Sequence, residues 1–327
     1  MSDLNEKKIR AAQIFTPSAP VTEIDMLAGR TEELTQLAVA CGSPGRHALL
    51  FGERGVGKTS LANVFALVAW VSKSGICGKV TCTTSDTYET VLRKLLDDTY
   101  VDLSAARSVG FESREKVERV SLWSFLSPDC SPHALQAFFR KLGQPAVLVV
   151  DEFDRLSFVE KQRFADTVKV LSDSIAPVTM ILVGVARSIE ELIGAHSSVE
   201  RAVAQVRLDR LDIAESMRVI EMRLPRLQLA IEPSVCEAIA HLSLGLPHFI
   251  HLVGLGSTLA AIDRMSLVIE RADLLSAIKY AIRQADQTTL QRYNQATYSP
   301  RVDALFTKVL CACAMSETDT EAISTPD

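Results

Sequence analysis

The chain has 327 residues, 47% of them hydrophobic and 23% charged, with a net charge of -5. Such a length and apolar content can bury a sizeable core in two or three domains. The slightly acidic balance excludes a long-range positive field able to hold nucleic acid without sequence preference, so any DNA contact needs a local basic face.

Residues 1–27 open with MSDLNEKKIRAAQIF, which is charged from the start and lacks the apolar core of a signal peptide. No run of about 18 apolar residues suggests a membrane span, so the expected compartment is the cytoplasm, with no membrane partner. Residues 47–51 (HALLF) read as a short strand running into a glycine-rich turn. The segment 58–73 that follows is apolar nearly all round, at Leu61, Val64, Phe65, Leu67, Val68, Trp70 and Val71, and such a helix is expected to be buried. Residues 79–82 predict a second strand and 88–97 a helix. Between 98 and 132 the pattern weakens into mixed charge and Ser-Pro runs, which reads as a loop or small insertion. Residues 146–150 (AVLVV) form a continuous apolar strand suited to the middle of a parallel sheet, 178–185 (VTMILVGV) another, and 204–208 a fifth.

From Asp212 the strand signals stop. Asp212 with Glu215 resembles a capping box ahead of Ile213, Met217, Ile220 and Leu224 at helical spacing. Pro233 suits the first turn of a helix whose face is Val235, Ile239 and Leu242. Two more helices are expected at 247–262 and 271–284, then one at 301–313 that fades into a polar tail. The seven cysteines, at 41, 77, 82, 130, 236, 311 and 313, are scattered and odd in number, which argues against a disulfide framework. Neither Cys311 with Cys313 nor the trio His241, His248 and His251 is joined by the further ligands a structural zinc site needs.

The stretch Gly52-Glu53-Arg54-Gly55-Val56-Gly57-Lys58-Thr59 matches G-x-x-x-x-G-K-[ST] in full, after a strand and at the start of a helix. In that setting successive backbone N–H groups and the helix N-terminus converge on phosphate oxygens. Lys58 would place its ammonium on the β- and γ-phosphates, Thr59 would offer a hydroxyl to Mg2+, and Ser60 closes the cradle. About 90 residues on, AVLVV delivers Asp151 and Glu152 to the C-terminal end of a buried strand, the edge where ligands of open α/β sheets gather. Asp151 would hold the metal and Glu152 would act as general base on the attacking water.

This order of motifs resembles the AAA+ P-loop ATPases, and within them it is similar to the origin-recognition initiator clade and to bacterial AAA proteins related to the STAND signalling ATPases. The likeness spans about residues 15–310. Phe15-Thr16-Pro17 and the run from Leu27 to Leu34, with Gly29 and Arg30, resemble the box that packs beside adenine. LVVDEFDRL resembles the Walker B strand. The resemblance implies a P-loop NTPase fold, with a parallel sheet sandwiched by helices at 28–212. An all-helical lid at 213–298 would follow, then a truncated start of a winged helix at 299–327.

It further implies that Arg187 contacts the γ-phosphate, in place of the asparagine usual in initiators. Arg201 would be the finger offered to a neighbouring subunit's ATP. Gly245-Leu246-Pro247-His248 looks like the Gly-x-Pro lid motif whose proline touches the nucleotide, with His248 standing in for the second sensor arginine. ATP and Mg2+ are the implied cofactors. The implied role is a nucleotide-dependent assembly switch that self-associates through Arg201 and works with a protein effector, as in a bacterial defence or signalling complex. The other role the resemblance offers is a DNA-binding initiator, loader or transposition-type ATPase. DNA contact by this chain is then expected to be weak, because no recognition helix or Lys/Arg cluster follows the last helix.

Overall fold

The computed structural model describes residues 2–73, 76–105, 116–126, 130–186, 188–193, 197–284, 287–298 and 305–316. Two compact units divide the chain, one from Ala19 to Arg210 and the other joining Met1–Ser18 to Leu211–Asp327.

The first unit is built on five parallel strands: β1 His47–Gly52, β2 Ile76–Thr81, β5 Ala146–Asp151, β6 Val178–Val185 and β7 Val203–Leu208. Their order across the sheet is β2-β5-β6-β1-β7. The three inner strands are the apolar runs of the sequence, and helices cover both their faces. Leu49, Leu50, Val149, Val150, Ile181 and Val183 are all fully buried. The outer strands β2 and β7 instead alternate buried and partly exposed positions, as sheet edges do. β2 begins three residues earlier than its strongest apolar signal suggests, because it pairs with the whole of β5, Ile76 beside Ala146 through Thr81 beside Asp151.

Helices on the two faces start where a side chain can satisfy their free N–H groups. Thr87 and Thr90 form a capping box for Tyr88–Asp97, Ser131 caps Pro132–Leu142, and Ser157 caps Phe158–Asp173. Their inner faces meet in a core where the ring of Phe164 packs edge-on against both Tyr88 and Phe153. Side chains of this size gain roughly 1.5–3 kcal/mol each on full burial. In the helix Lys58–Lys73, Leu61, Val64 and Phe65 are buried as expected, but Leu67 is half-exposed, and the side chains from Val68 on lie outside the described residues. The stretch between β2 and β5 read as a loop contains an antiparallel pair, β3 Tyr100–Ala105 with β4 Lys116–Ser121.

The second unit is helical. Asp212 and Glu215 form the expected capping box of Ile213–Glu221, and Pro233 opens Pro233–Leu242. The helix Pro247–Asp263 is buried nearly all round and packs against Arg271–Gln284 and the N-terminal helix Ser2–Ile14. Its glycines make that approach possible, since a Cβ on Gly254 would come within 2.7 Å of the Phe15 ring. His251, on the same helix, accepts the Thr16 N–H at 2.9 Å. Two-residue strands, β8 Ala230–Ile231 and β9 Val268–Ile269, pair in parallel where only helices were expected. The last described helix is Phe306–Ser316, later than the predicted 301–313, and residues 301–304 and 317–327 lie outside the described residues. Among the described residues no helix is long and apolar enough to cross a membrane.

Candidate functional site

The turn after β1 is shaped by glycines. Gly52 has φ 150°, and a Cβ there would fall 2.2 Å from the Leu208 carbonyl oxygen of the neighbouring strand β7. Gly55 and Gly57 follow at φ 90° and 97°, a region that side chains disfavour. The chain then enters Lys58–Lys73, whose first-turn N–H groups and dipole favour an anion. Val56 is fully buried and anchors the loop from beneath. Arg30, 5% exposed, braces it from behind: its guanidinium donates to the Val56 carbonyl at 3.2 Å and the Asp209 carbonyl at 2.6 Å, and pairs with Glu33 at 2.9 Å. Arg30 and Gly29 (φ 69°) immediately precede the helix Thr31–Gly42. Ser60 Oγ accepts the Val21 N–H at 3.0 Å.

Lys58 Nζ donates to the carbonyls of Gly52 at 3.0 Å and Glu53 at 2.6 Å. Its burial pulls its pKa below the usual lysine range, while the carboxylates of Asp154, Asp151 and Glu53 act in the opposite direction. Such an ammonium gains by meeting phosphate oxygens, which are stronger acceptors than loop carbonyls. Glu53 is exposed and held by Arg210 at 2.9 Å, and Arg54 is also exposed.

β5 brings Asp151 up beside this turn. Thr59 Oγ1 lies 3.4 Å from Asp151 Oδ1, which also accepts the Glu152 N–H at 2.9 Å. Asp151 Oδ2 is buried, makes no hydrogen bond, and faces the Lys79 ammonium of β2 at 3.0 Å. A buried carboxylate oxygen with no hydrogen bond, next to a threonine hydroxyl, fits a hard divalent cation. Among the described residues no group of three or more His, Cys, Asp or Glu side chains gathers to hold a metal. Mg2+ is commonly bound through one or two protein oxygens, with waters and substrate phosphates completing its shell.

Glu152 stands in the left-handed region, at φ 52° and ψ 37°. Its Oε2 is 2.5 Å from Arg155 Nε, with both side chains partly exposed. Asp154 Oδ1 accepts the Val185 N–H at 2.8 Å and ties the turn after β5 to the end of β6.

The sequence-predicted residues from Gly52 to Ser60, with Asp151 and Glu152, therefore come together at the C-terminal ends of β1 and β5. Arg201 is exposed on the short helix Ser197–Ala202. Arg187 lies outside the described residues. Pro247 and His248 belong to the helical unit, where His248 Nδ1 sits 2.7 Å from the Pro17 carbonyl oxygen. Sequence reasoning missed Lys79, the carbonyl grip of Arg30 and the tether made by Asp154. A cavity of about 430 Å³ at the opposite ends of β2, β5 and β6, walled by Phe65, Ile76, Ala146 and Val178, has apolar walls and no basic side chain for a phosphate.

Residues 42–193 match the model of the AAA domain family. No curated protein matches the sequence. Among solved structures, the chain is similar to the Aeropyrum pernix ORC2 protein in its ADPNP–ADP complexes, at 14% identity and a TM-score of 0.60, covering 88% of this chain and 74% of that one. It is also similar to a Walker-type ATPase of Pyrococcus abyssi, at 16% identity and a TM-score of 0.58, covering 86% and 79%. A third is the Thermotoga maritima RuvB Holliday junction branch migration motor, at 15% identity and a TM-score of 0.51, covering 90% and 86%. The glycine turn facing Asp151 lies within the stretch that matches the AAA domain model, and the chain has the fold of these solved ATPase structures.

Proposed function

We propose that this chain binds ATP with Mg2+, hydrolyses it, and uses the cycle as an assembly switch. The observation that carries the reading is the glycine turn of β1 opening into a helix beside Asp151, whose Oδ2 lacks a hydrogen bond and whose Oδ1 is 3.4 Å from the Thr59 hydroxyl. Loop N–H groups and Lys58 bind and orient the phosphates. Thr59 and Asp151 would hold Mg2+, which supplies positive charge to the transferring phosphoryl group. Glu152, once free of Arg155, takes the proton of the attacking water. Arg201, Arg187 and the Pro247–His248 turn are assigned to the nucleotide by resemblance, Arg201 from a neighbouring subunit. A partner protein then carries the effector chemistry, as in a defence or signalling complex.

Equilibrium binding of Mg-ATP to a Lys58→Ala protein tests the reading. The variant should lose at least about tenfold in affinity, the scale of one charge-assisted contact. Undiminished binding would sink it.

A second reading, an ATP-gated DNA initiator or loader, draws on the similarity to structures described as an ORC2 protein and a branch migration motor. The net charge of -5 weighs against it. Duplex binding measured across a salt series decides: affinity that falls steeply with salt supports DNA contact, and no measurable binding at low salt removes it.

A further inference from the structure

Asp151 is 2% exposed, and the cation that faces it is not the phosphate-loop lysine. Lys58 is turned onto the carbonyls of its own loop. The neighbour is Lys79, in the edge strand β2, beside Val149 and two residues short of the register position opposite Asp151. Its ammonium lies 3.0 Å from Asp151 Oδ2 and also donates to Asn63 Oδ1. Asn63 follows Thr59 by four residues in Lys58–Lys73, which puts both on one face of the phosphate-loop helix. A charge this deeply buried is costly unless an opposite charge pairs with it. Among the described residues, Lys79 is the cation in an ion pair with Asp151 Oδ2.

We propose that Lys79 is a resident counter-cation of Asp151, filling in the nucleotide-free protein the charge role that a divalent metal takes when nucleotide is bound. The proposal rests on the nucleotide reading above and goes beyond it, since that reading gives Lys79 no part. Two consequences follow from the geometry. With Lys79 in place, Asp151 presents no net negative charge to an incoming polyphosphate, so nucleotide binds even without metal. A metal ion arriving alone must compete with an ammonium tethered at contact distance, so metal loads together with nucleotide, and Lys79 then withdraws onto Asn63. Lys79 is thus a positioning residue, acting through Asp151.

The test is a titration of fluorescent ADP into the full chain, with EDTA and with Mg2+, for the parent, Lys79→Met and Lys79→Arg. Lys79→Met should lose about tenfold in affinity in EDTA, as expected for exposing nucleotide to an uncompensated nearby carboxylate. It should bind normally with Mg2+, and Lys79→Arg should keep the parent's ratio of the two affinities. An unchanged ratio in Lys79→Met would overturn the proposal, because a lysine that only braces β2 against the helix lowers both affinities alike. Should Lys79→Met fail to fold, amine labelling of the parent read by mass spectrometry decides. Lys79 should label faster with Mg-ADP than with ADP and EDTA, and equal rates overturn the proposal. If the parent binds ADP in neither condition, the nucleotide reading itself fails, and the role of Lys79 falls with it.

Discussion

Glu152 is the non-glycine residue of the site with a positive φ, 52°. A backbone in that region costs on the order of 1–3 kcal/mol and persists only where surroundings impose it. Here they are the buried side chain of Phe153 on one side and the Asp151 carboxylate, which accepts the Glu152 N–H, on the other. The carboxylate of Glu152 is meanwhile held by Arg155. Because both partners are over 40% exposed, water screens the pair, and its worth is about 0–1 kcal/mol. Arg155 therefore restrains the proposed base only lightly. Steady-state hydrolysis should rise by no more than about fivefold in Arg155→Ala, the factor that 1 kcal/mol supplies. Glu152→Gln, by contrast, should lower turnover by about 100-fold to 10,000-fold, the range for losing a general base, with Mg-ATP binding kept. Parent-like turnover in Glu152→Gln would remove Glu152 from the chemistry.

Elements were legible in the sequence in proportion to how much of their surface is buried. β1, β5 and β6 are covered on both faces and read as unbroken apolar runs. The N-terminal helix Ser2–Ile14 went unread because the positions it turns inward, Leu4, Lys8, Ala11 and the following Phe15, include a lysine and an alanine instead of a continuous apolar stripe. β8 and β9 have two residues each, too few for any period to show. The seam between β1 and β6 holds a further element-scale feature that no pattern announces. His47 is fully buried, and its Nδ1 accepts the Met180 N–H at 3.0 Å, so the proton sits on Nε2, which has no partner. Burial lowers the pKa of His47 from 6.5 to about 4. Below pH 6.5 an unfolded chain takes up a proton that the folded strand refuses, so stability is lost as pH falls from 6.5 towards 4. The share owed to His47 is about 2 kcal/mol between pH 7 and pH 5. His251, lowered to about 3 by burial and by the nearby charges of Arg223 and His248, acts in the same direction in the helical unit. His47→Gln keeps an acceptor for the Met180 N–H but does not titrate. Urea midpoints should therefore fall less steeply with acid in that variant, and an unaltered slope would show that His47 is not the group responsible.

At the scale of the whole molecule, the parts of the site made by contiguous backbone were legible and those made by register were not. A phosphate loop is one turn of chain, so its glycines and Lys58 stand together in the sequence. Lys79 meets Asp151 only because β2 pairs with β5, and Arg30 meets Val56 and Asp209 only because three distant segments converge. Arg201 belongs to a third kind, a residue whose proposed partner is another copy of the chain. Its exposure on Ser197–Ala202 leaves it available for that purpose. If it is a finger in trans, Arg201→Ala has a defective donor and an intact pocket, and Lys58→Ala the reverse. Arg201→Ala should bind ATP like the parent but hydrolyse it about a thousandfold more slowly, the lower bound for removing such a group. Mixing the two inactive variants should then recover part of the parent's turnover, since some interfaces pair a sound pocket with a sound finger. Both the mixture and the parent with Mg-ATP should show a raised apparent mass. Recovery cannot occur if each chain acts alone, so an inactive mixture of folded variants would argue for a monomeric ATPase and remove Arg201 from the site.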